Sequence, residues 1–338
     1  MPMIETINLT KRYAELIALD SLNLSIEAGD CFGFIGPNGA GKSTTIKILA
    51  TLLKPSSGQA MVDGLTVGYQ NRLIRPIIGY VPDFMGAYED MVVTEYLEFF
   101  AACYNINGKE RKKVVGDVLD LTDLNYKATA EVNTLSRGMQ QRLSIARVLL
   151  HDPKVLLMDE PASGLDPRAR IEIRELLKEL KRMGKTIIIS SHILPELADF
   201  CNTVGIIERG KLLFSGTVAE TMRRAKVGNV VHVAVADRTQ AAAQLLAKLA
   251  GVSKVTITDP PPGMRGGGGS GGGGGGLNSN AAAGDGRMIN VVFDPDAKTD
   301  ITDVPNLLVN NGFRITTFTE EAVNLETAFM RLTKGAVQ

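Results

Sequence analysis

Gly36-Pro37-Asn38-Gly39-Ala40-Gly41-Lys42-Ser43-Thr44 fits the spacing G-x-x-x-x-G-K-[ST] of a phosphate-binding P-loop. Cys31-Phe32-Gly33-Phe34-Ile35 before it reads as a short buried strand, and Thr45-Ile46-Lys47-Ile48-Leu49-Ala50 after it continues as a helix. A strand, a Gly-rich turn and a helix are the setting the motif requires. Gly36, Gly39 and Gly41 let backbone N–H groups close on phosphate oxygens where side chains would intrude. The helix starting near Lys42 aims its unpaired N–H groups and positive dipole end at the same anion. In this pattern Lys42 reaches the β- and γ-phosphates of a nucleotide, and the Ser43 hydroxyl ligates Mg²⁺.

A second apolar run, Val155-Leu156-Leu157-Met158, ends in Asp159-Glu160. It reads as a buried parallel strand with carboxylates at its C-terminal edge, where doubly wound sheets place their ligands. Asp159 suits Mg²⁺ bound through water, and Glu160 suits a group that orients or activates attacking water. Thr186-Ile187-Ile188-Ile189-Ser190 is a further buried strand and delivers Ser191-His192. A lone His after a strand is usually structural. Here it follows the strand expected beside that of Asp159, which favours contact with the γ-phosphate.

Around these strands the pattern is mixed. Met3 to Leu9 and Leu22 to Ile26 alternate apolar and polar residues and read as half-buried strands. Tyr13 lies between them and could stack on a nucleobase; taken alone it reads as packing. Ile77-Ile78-Gly79-Tyr80-Val81 is a strand leading into Pro82-Asp83. From about Tyr88 to Leu150 apolar residues such as Val93, Tyr96, Leu97 and Phe100 recur at helical spacing. The last helix of that block begins near Leu135-Ser136-Arg137-Gly138-Met139, with Ser136 as N-cap and Leu143, Ala146, Leu149 and Leu150 on its buried face. Pro167 opens another helix, with Ile171, Leu176, Leu177, Leu180 and Met183 on one side. Val204 to Glu208 and Lys211 to Phe214 read as a hairpin around Arg209-Gly210.

Bulk composition narrows the classes. The 338 residues suit about two domains. With 37 basic and 37 acidic residues there is no electrostatic footprint for nucleic acid. Cys31, Cys103 and Cys201 lack C-x-x-C spacing and read as buried thiols in a reducing compartment, and the three His residues have no metal spacing. The N-terminal residues Met1 to Glu5 carry no signal-peptide pattern. No apolar run reaches the ~18 residues of a spanning helix, so a membrane role requires a partner.

Taken together, these residues resemble the nucleotide-binding subunit of an ABC transporter, of the exporter type made as a separate chain. The resemblance covers residues 3 to 225, and its motifs appear in the family's order. They are Tyr13, the P-loop, Leu135-Ser136-Arg137-Gly138-Met139, the Asp159-Glu160 strand, Ser163-Gly164-Leu165-Asp166 and His192. It implies an α/β fold of the P-loop NTPase kind, with a mixed sheet and a helical subdomain at about 85–150, in a domain spanning residues 1–225. It further implies an ATPase using ATP and Mg²⁺, with Tyr13 at the base, Lys42 and His192 at the γ-phosphate, and Ser43, Asp83 and Asp159 at the metal. Two such domains, as a homodimer or heterodimer, would meet head to tail. Ser136 and Gly138 of one would then close on the γ-phosphate held by the other, with Asp166 crossing the interface. The partner implied is a multi-spanning membrane permease, which places the chain on the cytoplasmic face of the membrane as a peripheral subunit powering export. A soluble ABC ATPase of ribosomes or DNA fits less well: the chain has one P-loop, no sustained heptads and no basic excess. Two positions depart from the family pattern: Asp83 stands where Gln is usual, and Arg137 and Met139 replace the commoner Gly and Gln. The signature variant resembles multidrug- and lipid-type exporters.

Composition changes after about Lys226. Val230 to Val235, Val252 to Thr258, Met288 to Phe293 and Phe313 to Thr319 read as strands. Gln240 to Leu249, Ile301 to Asn310 and Asn324 to Leu332 read as helices. Two β-α-β units in succession predict a small α+β, ferredoxin-like domain over 226–338. A Gly-rich insertion at 259–287, natural or introduced by design, cannot bury a core and is expected to be disordered. By analogy alone this tail is either regulatory or dimer-stabilising, or a packing appendage.

Overall fold

The computed structural model describes residues 2–84, 86, 90–191, 197, 200–225, 230–259, 287–294 and 301–320. In the first of its two compact units the P-loop strand lies inside a six-stranded sheet. Strands β1 (Ile4–Tyr13), β2 (Leu16–Ile26), β4 (Ser57–Val62) and β5 (Leu65–Thr66) form an antiparallel sheet in the order β2-β1-β4-β5. Strands β3 (Cys31–Ile35), β6 (Ile78–Val81), β7 (Val155–Asp159), β8 (Thr186–Ser191), β9 (Thr203–Glu208) and β10 (Lys211–Thr217) form a second, in the order β10-β9-β3-β8-β7-β6. Its five strands from β9 to β6 run parallel, and β10 closes the edge as an antiparallel hairpin with β9.

Strands β3, β7 and β8 are buried at every residue, as a parallel sheet covered on both faces requires. Helix α1 (Lys42–Leu49) contacts β2 and β4 of one sheet and β7 and β8 of the other. One core cluster therefore runs from Ile4, Leu9 and Leu22 through Phe34, Ile46 and Leu49 to Leu157 and Ile188. Ile46, Ile48 and Leu49 are each 0% exposed, and burying each such side chain contributes about 1.5–3 kcal/mol.

The hairpin β1–β2 extends to Tyr13↔Leu16, well beyond the expected limits of Leu9 and Leu22. Register shifts on either side of Leu9 and Lys11 break the period-2 pattern there, so alternation could not show the outer half. Ser136 is the expected N-cap, accepting a hydrogen bond from the Met139 N–H at 3.3 Å. The 88–150 block contains α3 (Val93–Cys103), α4 (Gly108–Leu121) and α5 (Arg137–Leu149), after the short helix α2 (Asn71–Ile74). Helix α6 (Pro167–Arg182) corrects one expectation. Ala169, Ile173, Leu176, Leu177 and Leu180 form its buried stripe, whereas Ile171 and Met183 are half exposed. The stripe follows i, i+4, i+7, i+8, i+11 from Ala169, and Ile171 falls outside that arc.

Helix α7 (Val218–Ala225) leads out of this unit. Met222–Asn324 forms a compact unit of its own. Its described elements run β11 (Val230–Val235), α8 (Thr239–Leu246), β12 (Val252–Thr258), β13 (Met288–Phe293), α9 (Asp303–Asn310) and β14 (Ile315–Glu320), a β-α-β-β-α-β succession. The sheet order is β12-β13-β11-β14, antiparallel throughout. Val231, Val233, Ile289 and Val291 pack against Ala242, Leu246, Val304 and Leu308. The Gly-rich stretch and the helix expected at Asn324 to Leu332 lie outside the described residues.

The helical block is fastened to the core by a buried cation. Arg142 on α5 is 4% exposed. Its guanidinium donates to the Thr122 and Asp123 carbonyl oxygens at 3.1 and 3.0 Å and pairs with Glu172 on α6 at 3.3 Å. Arg142→Ala orphans these acceptors and is expected to cost about 2–3 kcal/mol. The reading is a lower urea midpoint at constant m; an unchanged midpoint would mean the guanidinium is not what joins the block to the core.

Candidate active site

The turn between β3 and α1 is shaped by two backbone hydrogen bonds. Ala40 N–H donates to the Pro37 carbonyl at 3.1 Å, and the Ala40 carbonyl accepts from Gly210 N–H at 2.9 Å. The hairpin turn at Arg209-Gly210 thus ties down the loop. Gly41, the N-cap of α1, takes φ 111° and offers no side-chain cap, leaving the first N–H groups of the helix for an anion.

The three glycines turn out to serve different ends. A Cβ at Gly36 would strike the Ile207 carbonyl, and one at Gly41 would stand 2.7 Å from the Ala18 carbonyl. Both are glycine because neighbouring backbone leaves no room. Gly39, with φ +80°, faces open space, the arrangement expected where only a ligand approaches.

A cleft of about 470 Å³ opens over this turn. It is lined by Tyr13, Leu16, Ala18, the loop residues Asn38 to Thr44, Asp83, Glu160 and Ser163. Gly36 and Pro37 do not line it; their carbonyls accept from Lys42 Nζ at 2.7 and 3.3 Å. The same ammonium, 5% exposed, lies 3.3 Å from Glu160 Oε1. Tyr13 is 43% exposed at the cleft rim, with Lys11 Nζ 5.1 Å from its ring centroid. It is not core packing, because the outer end of the β1–β2 hairpin projects beyond the core.

Behind the loop lies the acid pair. Asp159 is buried, and its Oδ1 accepts from Ser43 Oγ at 2.8 Å and from Ser190 Oγ at 2.8 Å. The second contact follows from the parallel register, which sets Asp159 opposite Ser190. The Ser190 hydroxyl also accepts the Glu160 N–H at 2.9 Å. Glu160 has φ 51°, a left-handed conformation costing a non-glycine residue about 1 kcal/mol, and this bond helps hold it. Ser190 was not among the expected site residues. At the end of an apolar strand it looks structural, and only the pairing of β7 with β8 reveals its place. The field of the acids reaches Tyr80 on β6, whose phenol is pushed up to about 12 by burial first, then by the charges of Asp159 and Asp83.

Not every expected residue meets here. Ser136, Gly138 and Asp166 do not line the cleft. Asp166 caps α6, its Oδ1 accepting from Ala169 N–H at 2.8 Å. Gly138 is buried where a Cβ would come within 2.6 Å of the Ala169 Cβ, so its lack of a side chain is set by the approach of α5 to α6. His192 lies outside the described residues; Ser191 before it is the last residue of β8.

Among the described residues no cluster of three or more His, Cys, Asp or Glu side chains could cage a metal. The oxygen donors of Ser43, Asp159 and Asp83 nonetheless suit Mg²⁺, which takes one or two carboxylates and completes its shell with phosphates and water.

Comparison with known proteins gives the same picture. A family model described as ABC transporter matches residues 19–163. The linearmycin resistance ATP-binding protein LnrL of Bacillus subtilis (strain 168) is 33% identical over 255 residues, covering 75% of this chain and 82% of that protein. The Nod factor export ATP-binding protein I of Ralstonia nicotianae is 37% identical over 249 residues, covering 74% and 77%. Among solved structures, a post-hydrolysis dimer of the ATP-binding cassette MJ0796 bound to ADP and Pi superposes with a TM-score of 0.58. It is 30% identical, covering 64% of this chain and 98% of that one. With the P-loop, the acid pair and the hydroxyls between them in place, the chain belongs to the ABC transporter family, as one of its ATP-binding proteins.

Proposed function

We propose that this chain binds and hydrolyses ATP to power export through a separate membrane permease. The observation that carries the reading is the bond network joining Ser43, Asp159, Ser190 and Glu160 opposite Lys42. These contacts, beside the cleft over the P-loop, support reading Ser43 and Asp159 as a metal-suited pair and Glu160 as the carboxylate base. The relatives named above are, by name, ATP-binding proteins of export and resistance. No helix among the described residues is long and apolar enough to cross a membrane; in this reading the chain is a peripheral subunit on the cytoplasmic face, held there by its partner.

In this reading the base stacks on Tyr13. The triphosphate lies over Gly39 and the N-terminus of α1 and draws Lys42 from the Gly36 and Pro37 carbonyls. Ser43, Asp159 and Asp83 hold Mg²⁺, whose chemistry is to neutralise charge developing on the phosphates. Glu160, released from Lys42, takes the proton of the attacking water, and His192 contacts the γ-phosphate. Ser136 and Gly138 of a second nucleotide-binding subunit close the site from above, with Asp166 at the same interface. The dimeric state of the MJ0796 cassette supports that arrangement.

Three substitutions test this reading. Glu160→Gln keeps the size of the side chain and removes the base, so ATP-dependent dimers should accumulate on gel filtration while turnover falls by about 10²-fold or more. Hydrolysis at the parental rate would remove Glu160 from the role of base. Ser190→Ala leaves the Glu160 N–H buried without its acceptor, a penalty of about 1–3 kcal/mol. Turnover should drop at least tenfold while the Kd for an ATP analogue stays within about twofold; parental turnover would show that Ser190 does not hold the acids. Asp83→Gln should retain activity but need more Mg²⁺ to reach half-maximal rate, since a neutral amide oxygen is the weaker ligand for a hard cation. Superimposable Mg²⁺ titrations would place Asp83 outside the metal's reach.

A further inference from the structure

Arg137 stands where the commoner signature has Gly, and the structure shows where its guanidinium goes. It is the first residue of α5, immediately after the exposed N-cap Ser136. Its planar head occupies the place a side chain would take on Gly164. A Cβ built there would stand 2.7 Å from Cζ and 3.0 Å from Nη2 of Arg137. Gly164 has φ +65°, which by itself favours glycine there; the guanidinium of Arg137 occupies the space left beside it.

The segment that carries Gly164 is bonded back to the acid pair. Ser163 N–H donates to the Glu160 carbonyl at 3.0 Å, and Leu165 N–H to that of Ala162 at 3.4 Å. Two residues after Gly164, Asp166 caps α6. Helices α5 and α6 are then joined at three levels: Arg137 on Gly164, Gly138 against Ala169, and Arg142 paired with Glu172. The lower two join helix to helix. The uppermost joins α5 to the turn that leaves Glu160, ahead of the first residue of α6.

We propose that Arg137 is a positioning residue that ties the Glu160–Gly164 turn of a subunit's own nucleotide site to Ser136, the group the same subunit offers to its partner's site. This rests on the head-to-tail dimer described above. A change at Glu160 displaces Gly164; Gly164 has no side chain of its own, so the guanidinium lying on it moves too and carries the N-terminus of α5. The coupling is reciprocal by linkage: closure of Ser136 on the partner's nucleotide steadies the subunit's own Glu160. Shortening residue 137 therefore weakens communication between the two sites and leaves each site's own P-loop and acids intact.

The test is a double-mutant cycle on purified full-length chain, with ATP turnover measured against ATP concentration and the Kd of a fluorescent ATP analogue measured separately. Arg137→Gly is expected to lower kcat about tenfold and bring the Hill coefficient toward 1, with the analogue Kd within about twofold of the parent. Arg137→Lys keeps the charge without the flat head and should restore less than half of the lost kcat. Gly164→Ala forces the guanidinium aside and should lower kcat in the same way. The variant carrying both Arg137→Gly and Gly164→Ala should lose less kcat than the product of the two single losses, because the strain of alanine at φ +65° acts in both backgrounds while the contact with the guanidinium can be broken only once. Losses that multiply, in a parent that hydrolyses ATP, would overturn the proposal alone. So would full activity of Arg137→Gly, which also serves if Gly164→Ala fails to fold. A parent without ATP turnover would overturn the functional reading and this proposal with it.

Discussion

A carboxylate kept out of water beside a polyanion site has to be held by donors, and that demand shapes this molecule. Asp159 is 5% exposed and receives two hydroxyl hydrogen bonds at 2.8 Å, one from α1 and one from β8. Both donors must be delivered to within tenths of an ångström, or the burial becomes a cost. Three pieces of chain distant in sequence must then share one rigid frame. The parallel pairing of β3, β7 and β8 supplies it, and the packing of α1 between two sheets keeps Ser43 from drifting.

The same frame explains why the charged groups hold one another in the open cleft. Lys42 is gripped by two carbonyls of its own loop and by Glu160. An ammonium buried without such partners would bear its desolvation cost uncompensated. The Gly210 N–H bond to the Ala40 carbonyl ties the loop independently of these contacts. The site is therefore organised before its ligand arrives, the condition under which electrostatic stabilisation costs least.

How much of this was legible follows from the kind of signal each residue carries. Strands β3, β7 and β8 were plain because complete burial writes an unbroken apolar run. The outer half of β1–β2 was not, since its register shifts and exposed residues such as Leu16 erase the alternation. Ile171 and Met183 looked like members of the α6 stripe because a helical period tolerates neighbours of the true line; the small residue Ala169, uninformative by itself, sets that line. The motif glycines were legible as a set but not in their separate reasons. Gly36 and Gly41 answer to Ile207 and Ala18, residues that only folding brings near. Ser190 was missed for the same cause: its partner is given by strand register, which one sequence does not display.

The anion site itself would be invisible to any accounting by charge. The cleft lining contains one lysine against two carboxylates, Asp83 and Glu160, with Asp159 behind them. The formal balance is negative before any nucleotide enters, and the chain as a whole is neutral at 37 against 37. Attraction for a triphosphate then draws on backbone as well as on any metal the carboxylates hold: the uncapped N–H groups and dipole end of α1, and the turn over Gly39. Backbone dipoles are directional where side-chain charges are not, so affinity depends on the shape of the loop more than on its composition. Glycine placement, with the Gly210 tether to the Ala40 carbonyl, therefore bears directly on how that backbone presents its N–H groups.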